Sequence, residues 1–294
     1  MALSWSMDKL GPICRSAEDC ALVLDAIYGP DGHDRSVRGV AFNWDASLDW
    51  KKLRVGYLKA DFEPKQEQPQ EAAKEEPAKT PDELKKRDEQ KKRREATKVL
   101  REYDQKYNDA ALAKLREMGV NLVPVELPKY PYEAMTVMLI AESAAAFDEL
   151  TRTGRDKLLT SQKDYDWPNQ FRSARLIPAV EYIQAARARM MAMEATAKLF
   201  EGVDVIVAPT NGSQQLVITN LTGHPSVILP NGLRGADAPK YPSEDPSDFQ
   251  NVGGPGTITS LTFLGRLYGE AELLAFARAY QESTGFHLLH PKLG

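Results

Sequence analysis

Apolar side chains recur along the chain at two spacings, and the switches between them lay out the elements. In RSAEDCALVLDAIYG, residues 15–29, Cys20, Val23, Leu24 and Ile27 follow one another at helical spacing. Ser16 stands where an N-cap accepts a backbone N–H, Asp19 lies in the first turn and Gly29 closes the run. The spacing therefore predicts a helix of about three turns. GPDGHD reads as the turn that follows. KKLRVGYL predicts a short strand with Leu53, Val55 and Tyr57 alternating. From Ala96 the period is helical again, with Val99, Leu100, Tyr103, Tyr107, Ala111, Leu115 and Met118 on one face and Gly119 as C-cap. NLVPVELP is the next strand, so this stretch predicts a strand-helix-strand unit.

Tyr132 to Leu150 predicts one long apolar helix containing AESAAAFDEL, and Pro178 to Phe200 predicts another, with Arg187 and Arg189 set among Ala and Met. Between them LLTSQKDYDWPNQFRSARLIP reads as irregular and aromatic. Met190, Met191 and Met193 are expected to fill gaps in a core. The texture then changes to short apolar runs, Val203 to Ala208, HPSVILP and TITSLTFLG, which suit strands covered on both faces by helices. A last amphipathic helix is built on Leu273, Leu274, Ala277 and Tyr280 and capped by Gly285. The expected fold class is α/β, a mixed β-sheet flanked by helices, with no internal repeat.

One region breaks the pattern. From about residue 63 to 95 the chain is dense in Glu, Lys, Gln and Pro and almost free of large apolar residues. Such a composition does not bury enough surface to offset ordering entropy, so it reads as a low-complexity insert. Its basic block Lys91, Lys92, Arg93 and Arg94 is interleaved with acids, which points to a solvated helix extension or a loop.

Composition narrows the function classes. The chain has 294 residues, 42% of them hydrophobic and 27% charged, with a net charge of −4. That balance gives no surplus of Lys and Arg to replace counterions, so no nucleic-acid partner is expected. No apolar run is long enough to span a bilayer, so no membrane partner is expected, and the N-terminus lacks the pattern of a secretory signal. As it stands the chain is expected to be cytoplasmic, with the location of any longer form left open. Cys14 and Cys20 have no His or further Cys nearby to complete a metal site and are expected to be reduced thiols packed in a core. Asp31, His33 and Asp34 sit in a Gly-containing turn without further donors, so neither metal nor cofactor is expected.

A search for catalytic constellations returns little. The sequence holds no phosphate loop, no His-Glu-x-x-His and no Gly-x-Ser-x-Gly. NVGGPGT is Gly-rich but precedes a strand, where phosphate loops precede a helix. His33 and His224 lie beside turns and His287 and His290 near the C-terminus, which gives weak support for a Ser-His-Asp arrangement.

Taken in order, LSWSMDKLGPICRSAEDCALVLDAIYGPDGHD, KKLRVGYL, MGVNLVPVELP, AESAAAFDEL, VEYIQAARARM, VDVIVAPT, TNLTGHPSVILPNG and ITSLTFLGRLYGEAELLAFARAYQESTGFHLLHP resemble the amidase signature enzymes. That group includes general amidases and the A subunit of the glutamyl-tRNA(Gln) amidotransferase, and the general amidases are the nearer likeness. The resemblance covers residues 1–294 except the charged insert. It implies a partial amidase-signature fold, namely the C-terminal portion of an amidase domain.

The resemblance also implies a chemistry: hydrolysis of a carboxamide C–N bond by a nucleophilic Ser, a second Ser on a cis peptide, and a Lys as base. Such a Lys needs burial or cationic neighbours to lower its pKa. Carried over residue by residue, this triad finds no match, and the expectation is that no catalytic residue lies in the chain and that it is inactive alone. Ser4 and Ser6, with Lys9 nearby, match the family's S-x-D-x-x-G-P segment beyond the nucleophile, which favours structural serines. TNLTGHP resembles a strand-to-turn element beside the acyl pocket, giving Asn220, Thr222, Gly223 and His224 as substrate-pocket candidates, with a purely geometric turn as the other reading. Asp8 and Arg15 flank Gly11-Pro12 as a candidate ion pair. The partners implied are a small-molecule amide in the intact enzyme and a separately encoded N-terminal half. The alternative reading is a non-catalytic binding or assembly module, or one half of a split enzyme, either an amidase or the amidotransferase component.

Overall fold

A computed structural model describes residues 3–35, 37–63, 80–210, 214–240 and 253–289. The first helix, α1 (Ala17–Ile27), starts where Ser16 accepts the N–H of Asp19 at 3.0 Å, as the capping pattern requires. After it come β1 (Val55–Leu58), the one-turn α2 (Lys59–Phe62) and the 37-residue α3 (Pro81–Glu117). The charged insert is therefore helical from Pro81 onward, an N-terminal extension of the helix read from Ala96. Residues 64–79 of that insert lie outside the described residues.

Next are β2 (Leu122–Val125) and three short helices, α4 (Tyr132–Met135), α5 (Val137–Ala146) and α6 (Asp148–Arg152), where one long helix was expected. Two residues interrupt it. Thr136 turns its hydroxyl back to the Glu133 carbonyl at 2.6 Å, competing with the helical ladder. Phe147 sits at φ −105°, ψ 21° and stacks on Phe171 at 5.2 Å. The stretch read as irregular also contains a helix, α7 (Trp167–Ala174), with Pro168 in its first turn, where a missing N–H costs nothing.

The long α8 (Ala179–Leu199) is as expected in extent. Met190 and Met191 nevertheless face solvent, and the buried side of α8 is made by Ala185, Ala192 and Thr196. Beyond β3 (Val205–Pro209), TNLTGHP is a helix-to-turn element, correcting the strand-to-turn expectation. It begins inside α9 (Gln215–Thr222), which ends at Gly223 with φ +83°, a left-handed conformation that suits glycine. The chain closes with β4 (Ser226–Leu233), β5 (Ile258–Gly265) and α10 (Glu270–Thr284), the last capped by Gly285 as expected.

The strands form one mixed sheet in the order β2-β1-β3-β5-β4. β1 runs parallel to β2 and β3, and β5 runs antiparallel to β3 and β4. In the centre both faces are buried. Val205 and Val207 point into a core shared with Ala111, Leu115, Phe276 and Tyr280, while Ile206 and Ala208 point into a second cluster with Leu58, Phe200 and Leu264. Phe263 meets Phe276 and Tyr280 edge-on at 5.3 and 5.4 Å. Gly56 in β1 is required by this packing, since a Cβ there would lie 2.9 Å from Val125. A third cluster, on Met7, Tyr132, Met135, Met138, Ile218 and Leu221, joins the N-terminal segment to α4, α5, α8 and α9. Among the described residues no helix is long and apolar enough to cross a membrane.

Candidate functional site

The polar residues gather where the N-terminal segment crosses α5, α8 and α9. Ser4 to Asp8 forms a tight turn, with Asp8 N–H donating to the Ser4 carbonyl at 2.8 Å. The Asp8 carboxylate accepts the N–H groups of Leu3 and Ser4 at 2.7 and 3.2 Å, so its partner is the backbone of this turn, not Arg15. The turn aims both serines at Glu142, in the middle of α5. The Ser4 hydroxyl donates to Glu142 Oε2, and Ser6 donates its hydroxyl to Oε1 at 2.7 Å and its N–H to Oε2 at 3.2 Å. Tyr182 of α8 adds its hydroxyl to Oε1 at 2.9 Å.

Glu142 is 1% exposed and Ser4 0%. Burial pushes the Glu142 carboxyl up, but the hydrogen bonds from Ser4, Ser6 and Tyr182 outweigh it and hold the group below its ordinary value. It is therefore an ionised acceptor with little basicity. Burial and the bond to Glu142 raise the Tyr182 phenol. Seven residues along the same face of α8, Arg189 donates to the Ser6 hydroxyl at 2.8 Å, the Ser6 carbonyl at 2.6 Å and the Leu221 carbonyl at 2.5 Å. Its own pKa is lowered by burial against an opposing pull from Glu142. Glu142 and Arg189 together fasten the turn to two helices and to the end of α9.

A second cluster lies one step along. The Lys9 stem is exposed, but its ammonium donates to the carbonyls of Thr219 and His224, both at 3.0 Å, and burial of that end pulls its pKa down to about 8. These carbonyls belong to the last turn of α9 and to the residue after its Gly223 cap, where a cation complements the helix dipole. Thr222 spends its hydroxyl proton on the Ile218 carbonyl at 2.8 Å, so its 2.8 Å contact with His224 is donated by His224 Nδ1–H. His224 stacks on Phe200 at 4.8 Å, and burial, with the Lys9 charge, lowers its pKa to about 4. It is a neutral imidazole at physiological pH.

The four substrate-pocket candidates divide accordingly. Thr222 and His224 are brought together but are buried, Gly223 is exposed as the helix cap, and Asn220 is half-buried on the last turn of α9. The residues that organise the site, Glu142, Tyr182 and Arg189, were not singled out by sequence. The signal for Glu142 is an acid inside the apolar run AESAAAF, and for Arg189 a cation seven residues from Tyr182.

On the other side of α5 an open cleft of about 470 Å³ is lined by Ala141, Ala144, Ala174 and Ile177 and by Tyr182, with Arg175 paired to Asp148 at its rim. Cys14 and Cys20 are both half-buried free thiols, and burial pushes Cys20 up to about 11. Among the described residues no group of His, Cys, Asp or Glu is placed to hold a metal ion. His290 lies outside them.

Comparison with known proteins places this geometry in a context. The amidase family profile matches residues 1–107. The chain is 27% identical over 309 aligned residues to an amidase from Pseudomonas putida, covering 99% of this chain and 56% of that protein. It is 24% identical to the A component of the glutamyl-tRNA(Gln) amidotransferase of Geobacter metallireducens, covering 98% and 57%. In fold it is similar to the native peptide amidase of Stenotrophomonas maltophilia, with a TM-score of 0.62 and 21% identity over 97% of this chain and 55% of that one. The chain thus spans about half the length of the relatives it matches.

Proposed function

We propose that this relative of the amidase signature family is one portion of a hydrolase acting on carboxamide C–N bonds, and that residues 1–294 form a single piece of its amidase domain, without the nucleophile. In the complete reaction a serine oxygen attacks the amide carbonyl, the amine leaves with a proton, and water releases the acyl group from the enzyme. The observation that carries the second half of the proposal is the engagement of Ser4 and Ser6. A nucleophilic serine needs a base able to take its proton and a substrate able to reach its oxygen. Ser4 is buried, and both hydroxyls donate to a carboxylate too weakly basic for the task. Lys9, the amine of the same segment, has its pKa lowered by burial, but two of its three N–H groups are held by the backbone carbonyls of Thr219 and His224. The Ser–Lys chemistry that the resemblance implies would then come from a separately encoded half, with Asn220, Thr222, Gly223 and His224 forming part of a pocket wall for a small-molecule amide.

The test is steady-state release of ammonia from simple aliphatic and aromatic carboxamides by the purified chain. No turnover above the buffer blank is expected. Turnover that disappears in Ser4→Ala or Ser6→Ala would overturn the reading.

A further inference from the structure

Cys14 and Cys20 stand on either side of the start of α1, and two contacts of Cys20 bracket Cys14. The Cys20 N–H donates to the carbonyl of the N-cap Ser16 at 3.1 Å, and the Cys20 sulfur lies 3.8 Å from the Pro12 carbonyl. The segment entering the helix therefore runs back along its first turn, and Cys14, midway between Pro12 and Ser16, lies against Cys20. The two thiols are close enough to share a hydrogen bond. Gln281 of α10 holds the backbone on both sides of the cap, accepting the Ala17 N–H at 2.9 Å and donating to the Arg15 carbonyl at 3.3 Å. The pair is carried on an anchored backbone, while both thiols are only half-buried and within reach of a small oxidant.

We infer that Cys14 and Cys20 are a reversible redox pair, oxidised to an internal disulfide by a low-molecular-weight disulfide such as oxidised glutathione. Burial, with the Cys14 thiol beside it, pushes the Cys20 thiol up to about 11 and keeps it protonated at neutral pH, so Cys14 attacks first. The Cys14 thiol gives its proton to solvent, its sulfur bonds to one sulfur of the oxidant, and the first thiolate leaves. The Cys20 sulfur, losing its proton as it attacks, then displaces the second thiolate from Cys14. Two protein thiols become one disulfide, and one disulfide of the oxidant becomes two thiols, which take up the two protons. The product closes a ring over residues 14–20 and ties the segment that carries the exposed Leu10 and Ile13 to the helix it leads into. Because the folded chain already holds the two sulfurs together, the link restrains the unfolded chain more than the folded one. The inference is independent of the proposed amidase role, since neither cysteine belongs to the clusters around Glu142 and His224.

Equilibration of the full chain with reduced and oxidised glutathione at a series of ratios, then acid quench and intact and peptide mass spectrometry, tests it. The chain should lose the mass of two hydrogens, with Cys14 and Cys20 joined within one molecule and the link reversed by excess reduced glutathione. Cys20→Ser should stop at a glutathione adduct on Cys14. The equilibrium constant for the link should be about tenfold larger in the folded chain than in the same chain in urea. By the same linkage the oxidised chain should melt about 2–4 °C above the reduced one. Glutathione adducts that persist on the parent without the internal link, a link that forms as readily in urea, or an oxidised chain that melts below the reduced one would each overturn the inference.

Discussion

The sheet core and the clamp around Glu142 are held by opposite means. In the core, Phe263, Phe276, Tyr280, Leu261 and the valines of β1 and β3 share one apolar cluster, and the attraction is spread over many nondirectional contacts. In the clamp a single carboxylate receives four hydrogen bonds, three of them from Ser4 and Ser6. The first arrangement degrades by degrees when a residue is trimmed. The second depends on one side chain, whose loss frees a segment and spares the sheet.

The sharpest way to separate them is to damage each in turn. Phe263→Ala removes a ring at 0% exposure and should lower the unfolding free energy by ~3–5 kcal/mol in urea titrations, with faster hydrogen exchange in all five strands. Acid attacks the polar side. The folded-state pKa of His224 lies near 4, below the ordinary 6.5, so its share of stability is complete above pH 6.5 and is lost as pH falls toward 4. That share is on the order of 3 kcal/mol. Urea titrations between pH 4 and 7 should show the slope, and His224→Asn, which keeps a donor toward Thr222, should flatten it. Glu142 is depressed too and loses its contribution in the same direction, at lower pH.

Glu142→Ala leaves the buried Ser4 hydroxyl without its acceptor and should cost about 2 kcal/mol. Hydrogen exchange should accelerate at residues 3–9 and remain unchanged in β1, β3 and β5. Exchange that rises equally in the sheet would erase the distinction between the two regions. Lys9→Met is the mildest change: removing two charge-assisted bonds at the end of α9 should cost about 1 kcal/mol and loosen only residues 219–224.

These regions also differ in how far the sequence foretold them. The strands and the capped helices α1 and α10 were legible because period, caps and burial agree locally, from Ser16 at one end to Gly285 at the other. The break at Thr136 and Phe147 was not, since it arises from a hydroxyl bond and from stacking on Phe171, a residue of another helix. Met190 and Met191 were read as core because hydrophobic character alone does not reveal which side of an alanine-rich helix faces inward. The clamp was least visible. Ser4 and Ser6 stand out in the sequence, but their partner lies more than 130 positions away in the chain, and only the fold brings Glu142, Tyr182 and Arg189 to them.

Ser4 and Ser6, on this reading, are structural ligands of Glu142 and not nucleophiles. Incubation of the folded chain with a fluorophosphonate, followed by intact-mass and peptide mass spectrometry, tests it directly. No adduct is expected on either serine at reagent concentrations that label an active serine hydrolase to completion. Stoichiometric modification of Ser4 or Ser6, lost after heat unfolding, would contradict it.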